Sequence, residues 1–397
     1  MSTLSERLRA LGVQLGAAEL PVPKPLEKTY PLHTIFDVSV HSTIYGEAQY
    51  IQNDYLPNYQ HGIVSFSMPA HYQIIYAWGG ISRPTPKQNL LFLDTETTGL
   101  AGGTGTFAFL IGIGYWTEAG FRIIQFFLPE PQAELSFLVA FNEWVSGFDC
   151  LVTFNGKSFD LPLLNTRHVL NRLQIPFPQT AHLDLLHLAR RLWRYRLNDR
   201  SLGSLEEEIL RLPRGVQEIP GWMIPSLYLE YLQTHDARPL SGIFYHNQMD
   251  ILSLAALFLY MGRLLDYPMH QEFSPPGLDW MAIARLYEDL KRPEMAINLY
   301  RASLDVGLPL PFYLDTCKRF ASIYRRRQEW QKAIELWQSA AELGDVSSCI
   351  ELSKYYEHQV QDSNEAFAWA QRAAQYQTSP EIEYRIRRIE KKLRNPK

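Results

Sequence analysis

The chain has 397 residues, 46% hydrophobic and 20% charged, with a formal net charge of −4 at pH 7; the length asks for more than one domain, and the composition excludes a disordered or fibrous chain. The slight negative charge excludes a global basic field, so a polyanionic partner would be met by local bases or bound cations. Cys150, Cys317 and Cys349 are the only cysteines and lie far apart, which excludes a disulfide framework or a cysteine-based zinc site and suits a reducing compartment.

The opening stretch MSTLSERLRALGVQLG reads as a charged amphipathic helix lacking the apolar core of a secretory signal, so a cytoplasmic location is expected. Residues 1–86 read as an irregular, aromatic-rich accessory region in which HGIVSFSM and YQIIYAWGG look like short strands. The proline-punctuated SRPTPKQN closes it. Three strands are expected at 89–94, 106–116 and 121–128, joined by short turns into an antiparallel meander. A helix over 132–146, a strand over 150–155, a helix beginning near Asp160 and a strand over 181–185 follow. That order predicts an α/β domain over 87–268, a mixed sheet with helices on both faces.

DRSLGSLEEEILRLPR (199–214) reads as a helix with a Ser204–Glu207 capping box, and GVQEIPGWMIPSLYLEY turns into another. LSGIFYHNQMDILSLAALFLYMGRLL reads as one long buried helix; its most apolar part is too short for a membrane span and contains Arg263. Past Pro275 an internal repeat emerges in 284–304, 321–341 and 353–374, with Tyr287, Tyr324 and Tyr356 in equivalent places and Ala296, Ala333 and Ala366 following. Helix pairs with a small residue where they approach closely predict an all-α, tetratricopeptide-like (TPR-like) domain over 276–397, ending in a basic capping helix and offering a surface for a protein partner.

Four acids carry the chemistry. In LLFLDTETTGLAGGTGTFAFLIG, Asp94 and Glu96 stand two apart on extended chain and face the same way. Like charges held together are unfavourable unless a cation or proton offsets them. An exposed turn would also account for such a pair, but Leu90–Leu93 imply burial at its base and favour a metal. The glycines lead into a strand with no Gly-Lys-Ser/Thr, which excludes a phosphate-binding P-loop and leaves a turn. Asp160, in FNGKSFDLPLL, is either a helix N-cap or a carboxylate facing the crevice at the ends of parallel strands. Asp250, in HNQMD, is either a cap or a charge with a purpose at the head of an apolar helix. His246 shares its face four residues earlier, structural or catalytic, whereas Tyr245 is turned away. Asp184, at a strand end, supports the site or the fold. The run ARRLWRYRLNDR, with Arg190, Arg191, Arg194 and Arg196 among Trp193 and Tyr195, is either a backbone-and-stacking patch or a solvated helix face.

FLDTETTGL, FNGKSFDLPLL and HNQMD resemble, in order and spacing, the three exonuclease motifs of the DEDD superfamily, which has the ribonuclease H-like fold. The resemblance is closest to the YprB-like family and spans about residues 88–265, with the repeat tail also fitting. It implies a 3′–5′ exonuclease acting on DNA or RNA, with a single-stranded 3′ end as substrate and no membrane partner. It also implies two Mg²⁺ or Mn²⁺ ions held by Asp94, Glu96, Asp160 and Asp250. One departure stands out: tyrosine-type members carry Tyr four residues before the last Asp and histidine-type members His five before it, and here His246 and Tyr245 are interchanged. Imidazole is the better base near neutral pH, which favours His246. A catalytically silent binding or scaffold protein is the alternative, and the presence of all four carboxylates argues against it.

Overall fold

The computed structural model describes residues 30–67, 72–81, 86–99, 105–213, 215, 219–270 and 273–394. The amphipathic helix expected at the start, much of SRPTPKQN, the glycine stretch 100–104 and the last three residues lie outside them. The described residues within Met1–Ala70, Arg83–Leu186 and Ser201–Tyr260 form one compact unit, and those within His71–Ser82, His187–Arg200 and Met261–Lys397 a second.

The first unit is built on a seven-stranded mixed sheet. Its strands are β1 (Val38–Thr43), β2 (Gly46–Tyr55), β5 (Leu90–Thr97), β6 (Ala108–Thr117), β7 (Gly120–Phe127), β8 (Cys150–Thr153) and β9 (Ala181–Asp184), in the order β1-β2-β7-β6-β5-β8-β9. A two-stranded hairpin, β3 (Gln60–His61) with β4 (Val64–Ser65), stands apart from it. β5, β6 and β7 form the expected antiparallel meander, and β5, β8 and β9 run parallel. The nearly unbroken apolar text of β6 and β8 fits strands covered on both faces. The β6–β7 turn needs its glycine: Gly120 has φ +139°, and a Cβ there would stand 2.0 Å from the Tyr55 carbonyl oxygen.

The region read as irregular contributes β1 and β2, which extend the meander because β2 pairs along β7 from Gln49↔Phe127 to Tyr55↔Phe121. Their polar texts, VSVHST and GEAQYIQNDY, hide the alternation that reveals a half-buried strand. YQIIYAWGG is a helix, Gln73–Trp78, and not a strand. Within the second unit the Asp266 carboxylate accepts the first N–H groups of that helix, from Gln73 and Ile74, a cap supplied from far along the chain.

The helices that follow are α1 (Glu134–Val145), α2 (Asp160–Leu170), α3 (Leu185–Trp193), α4 (Leu202–Glu208), α5 (Ile224–Thr234) and α6 (Leu240–Asp266). α4 is shorter than its sequence suggests and is capped by Ser201, whose hydroxyl accepts the Ser204 N–H; Ser204 is thus the donor, not the cap. α6 is long and apolar enough to cross a membrane, but 72% of its most apolar window is buried inside the protein, as in a core helix. It lies close over β6, since Cβ atoms at Gly112 and Gly114 would stand 2.1 Å from Asn247 Oδ1 and 2.5 Å from Ile251 Cγ2. Aliphatic and aromatic side chains of β5–β7, α1, α5 and the start of α6 form one hydrophobic core.

In the second unit, α7 (Gly277–Asp289), α8 (Pro293–Val306), α9 (Leu310–Arg326), α10 (Trp330–Glu342), α11 (Val346–Tyr355, continued by a π-turn over Tyr356–Val360), α12 (Ser363–Tyr376) and α13 (Pro380–Arg394) follow one another. Ala296, Ala333 and Ala366 all sit in the first turn of the second helix of a pair, fully buried. Part of the arginine-rich run pairs inside this unit, while Arg190 and Arg194 are exposed, with Arg194 over the Tyr195 ring. Trp193 is buried, and Arg196 forks onto the buried Asp279 at 3.0 and 2.9 Å. Arg191 pairs with Asp289, and Tyr195 packs on Phe312 while accepting a hydrogen bond from Arg285.

Candidate active site

Three separated segments of the first unit bring the four acids together. The buried run Leu90–Leu93 anchors β5, and the strand emerges with Asp94 and Glu96 on one face, opposite Gly112 and Leu110 of β6. Asp160 begins α2. The preceding residue, Phe159, makes no side-chain cap, and the Asp160 carboxylate is engaged instead by the Thr95 hydroxyl, which donates to Oδ1 at 2.5 Å. Asp250 lies well inside α6, so a capping role is excluded.

The acids share one field. Burial pushes the Asp94 and Glu96 carboxyls well above the usual carboxylate range, and the charges of Asp250 and Asp160 push both further. Burial also raises Asp160, to about 6, against hydrogen bonds from the Thr95 hydroxyl and from backbone N–H groups. The side chains of Glu96 and Asp250 retain 13% and 15% exposure, so the cluster opens to solvent on their side. Among the described residues no three His, Cys, Asp or Glu side chains stand as a ready-made metal cluster; the four acids share a field, not a closed shell of donors. Their chemistry, hard carboxylate oxygens whose mutual repulsion only positive charge relieves, suits Mg²⁺ or Mn²⁺ better than zinc.

His246 Nε2 lies 3.6 Å from Asp250 Oδ2, one turn away on α6, and 3.9 Å from Glu96 Oε1. Tyr245 lies on another face, beside Tyr59, whose phenol burial and then the Tyr245 charge push upward. Asp184 braces the turn that carries Asp160. Its Oδ1 accepts the N–H groups of Asn155 and Leu186 at 2.8 and 3.1 Å, and its Oδ2 that of Lys157 at 3.1 Å. Asn155 there has φ +67°, a left-handed conformation that asparagine tolerates.

Two residues escaped the sequence reading. Asn247, fully buried, donates from Nδ2 to Asp94 Oδ2 at 2.9 Å, and Gln125 of β7 donates from Nε2 to Asn247 Oδ1 at 2.9 Å. The available signal was an amide one residue after His246 in an apolar helix, together with a lone glutamine in FRIIQFFL.

Residues 91–262, which enclose all four acids and His246, match the family described as the RNase_H superfamily. Over 333 residues the chain is 32% identical to the uncharacterized protein YprB of Bacillus subtilis (strain 168), covering 81% of this chain and 78% of that protein. The chain belongs to the YprB family. Among solved structures, the family B DNA polymerase of the archaeon Pyrobaculum calidifontis aligns with 61% of this YprB-family chain at 14% identity and a TM-score of 0.35. The chain spans only 29% of the polymerase's length, and a likeness at that level carries no argument here.

Proposed function

We propose that this YprB-family protein is a divalent-metal-dependent nuclease of the DEDD type, a 3′–5′ exonuclease that hydrolyses terminal phosphodiester bonds of single-stranded DNA or RNA. The observation that carries the reading is the convergence of Asp94, Glu96, Asp160 and Asp250 from three distant segments into one partly buried field, with His246 at its edge. These carboxylates would hold Mg²⁺ or Mn²⁺, which when bound supplies the positive charge that offsets their repulsion and stabilises the charge of the reacting phosphodiester. His246, whose Nε2 faces Glu96 and Asp250, takes the proton of the attacking water. Thr95 holds the Asp160 carboxylate directly, and Asp184 braces the turn that leads into it. A net-acidic chain meets a polyanion through this site, without a basic field. Residues 276–397 are read as a TPR-like array for a protein partner.

The test is to incubate 5′-labelled single-stranded DNA and RNA with the protein in Mn²⁺ or in EDTA. Shortening from the 3′ end in Mn²⁺, abolished by EDTA and by Asp94→Ala, is the expected result. No cleavage of either strand by wild type, with wild type and Asp94→Ala binding nucleic acid equally, would mean a catalytically silent binding protein.

A further inference from the structure

One feature of the site is assigned by neither the carboxylate cluster nor the family. Asp94 is flanked across the sheet by Gly112, and Gly112 by Gln125, so that one row of β5, β6 and β7 reads acid, glycine, amide. Into the gap over the glycine drops Asn247 from α6, with its amide between the other two. We infer that Gln125, Asn247 and Gly112 form a positioning relay that fixes the Asp94 carboxylate for the cation, an inference that rests on the metal-dependent reading above.

The relay has a direction. An asparagine amide can be turned either way, and only one orientation offers a donor to a carboxylate. The Gln125 amide donates both to Asn247 Oδ1 and to the Phe244 carbonyl oxygen at 2.8 Å, so Asn247 must present its oxygen to Gln125 and its N–H to Asp94. Both amides are buried, at 1% and 0% exposure, where a mis-turned amide would set oxygen against carboxylate with no water to relieve it. Glycine is what admits the device: a Cβ at 112 would stand 2.1 Å from Asn247 Oδ1 and 2.8 Å from its Nδ2. Its backbone is otherwise ordinary strand, so alanine there would displace the amide without straining β6. Partners that orient a metal-holding carboxylate typically change affinity about 10–100-fold when removed.

The experiment measures Mn²⁺ binding by the electron paramagnetic resonance of free Mn²⁺, independently of turnover, for wild type, Asp94→Asn, Asn247→Ala, Gly112→Ala and Gln125→Met. Circular dichroism in EDTA establishes that each variant is folded. Saturable binding by wild type that Asp94→Asn removes is expected, with affinity lower by about tenfold or more in Asn247→Ala and Gly112→Ala. Gln125→Met weakens binding less and adds nothing in combination with Asn247→Ala, because it acts only through that amide. Should Asn247→Ala fail to fold, Gly112→Ala, which removes no polar group, carries the test alone. Affinities within twofold of wild type in the folded relay variants would overturn the relay while leaving the metal reading intact. No saturable Mn²⁺ binding by wild type would overturn the metal reading, and the relay with it.

Discussion

At the scale of single residues, the interchange of His246 and Tyr245 is the sharpest question. The imidazole stands within 4 Å of the acid cluster, near both Glu96 and Asp250. His246→Ala is therefore expected to lower kcat by about 10²–10⁴-fold, the usual range for a general base. Tyr245→Ala should leave turnover within a few-fold; single-turnover kinetics on a labelled strand separates the two, and a larger loss in Tyr245→Ala reverses the assignment. A second histidine bears on stability instead. His61, buried and hydrogen-bonded to Ser253 at 2.8 Å, is pushed by burial from its ordinary 6.5 down to about 4. Below pH 6.5 the unfolded chain takes up a proton that the folded chain refuses, so stability falls as the pH drops from 6.5 towards 4. The loss amounts to about 3 kcal/mol at most. Urea denaturation at several pH values would show this slope, and His61→Gln should flatten it.

At the scale of elements, α1 and α2 are joined by a buried ion pair. Arg167 forks onto Glu134 with N–O distances of 2.5 and 2.6 Å, and Asn171 donates to the same carboxylate. Because α2 begins at Asp160, this pair helps fix the helix that presents one of the four acids. Arg167→Ala leaves Glu134 buried and uncompensated, and is expected to cost about 3–5 kcal/mol. Replacing both ends, as Glu134→Leu with Arg167→Met, should cost less than the single change, because no lone charge remains. A double-mutant cycle by chemical denaturation checks the order, and a double variant less stable than Arg167→Ala would refute it.

At the scale of the whole molecule, the second unit is not a contiguous stretch of chain, since segments within 71–82 and 187–200 belong to it. Asp279 is only 4% exposed and takes its counter-charge from Arg196, and Arg285 bonds Tyr195. A fragment of residues 276–397 loses these partners and keeps a buried carboxylate, a defect of a few kcal/mol. It should melt well below the corresponding transition of the full chain in calorimetry; an equal midpoint would show that the borrowed segments contribute nothing.

What the sequence determined by itself was local. The apolar run before Asp94, the two-residue spacing of Asp94 and Glu96, the order of strands and helices from Leu90 onward and the helix pairs past Pro275 follow from patterns a few residues long. Hydrophobic period and side-chain alternation are properties of the chain next to itself. Tertiary structure decided what depends on partners far away. Polar texts became β1 and β2 because β7 offered an edge to pair with, and Asp250 turned out to be an interior helical residue, not a cap. Two members of the arginine-rich run, Arg196 and Arg191, found partners in Asp279 and Asp289. Asn247 and Gln125 gained meaning only when strand register and a glycine placed them in one row with Asp94. Hydrogen-bond direction and burial of charge are set by neighbours that sequence spacing does not specify, which is why the acids were legible and the residues that hold them were not.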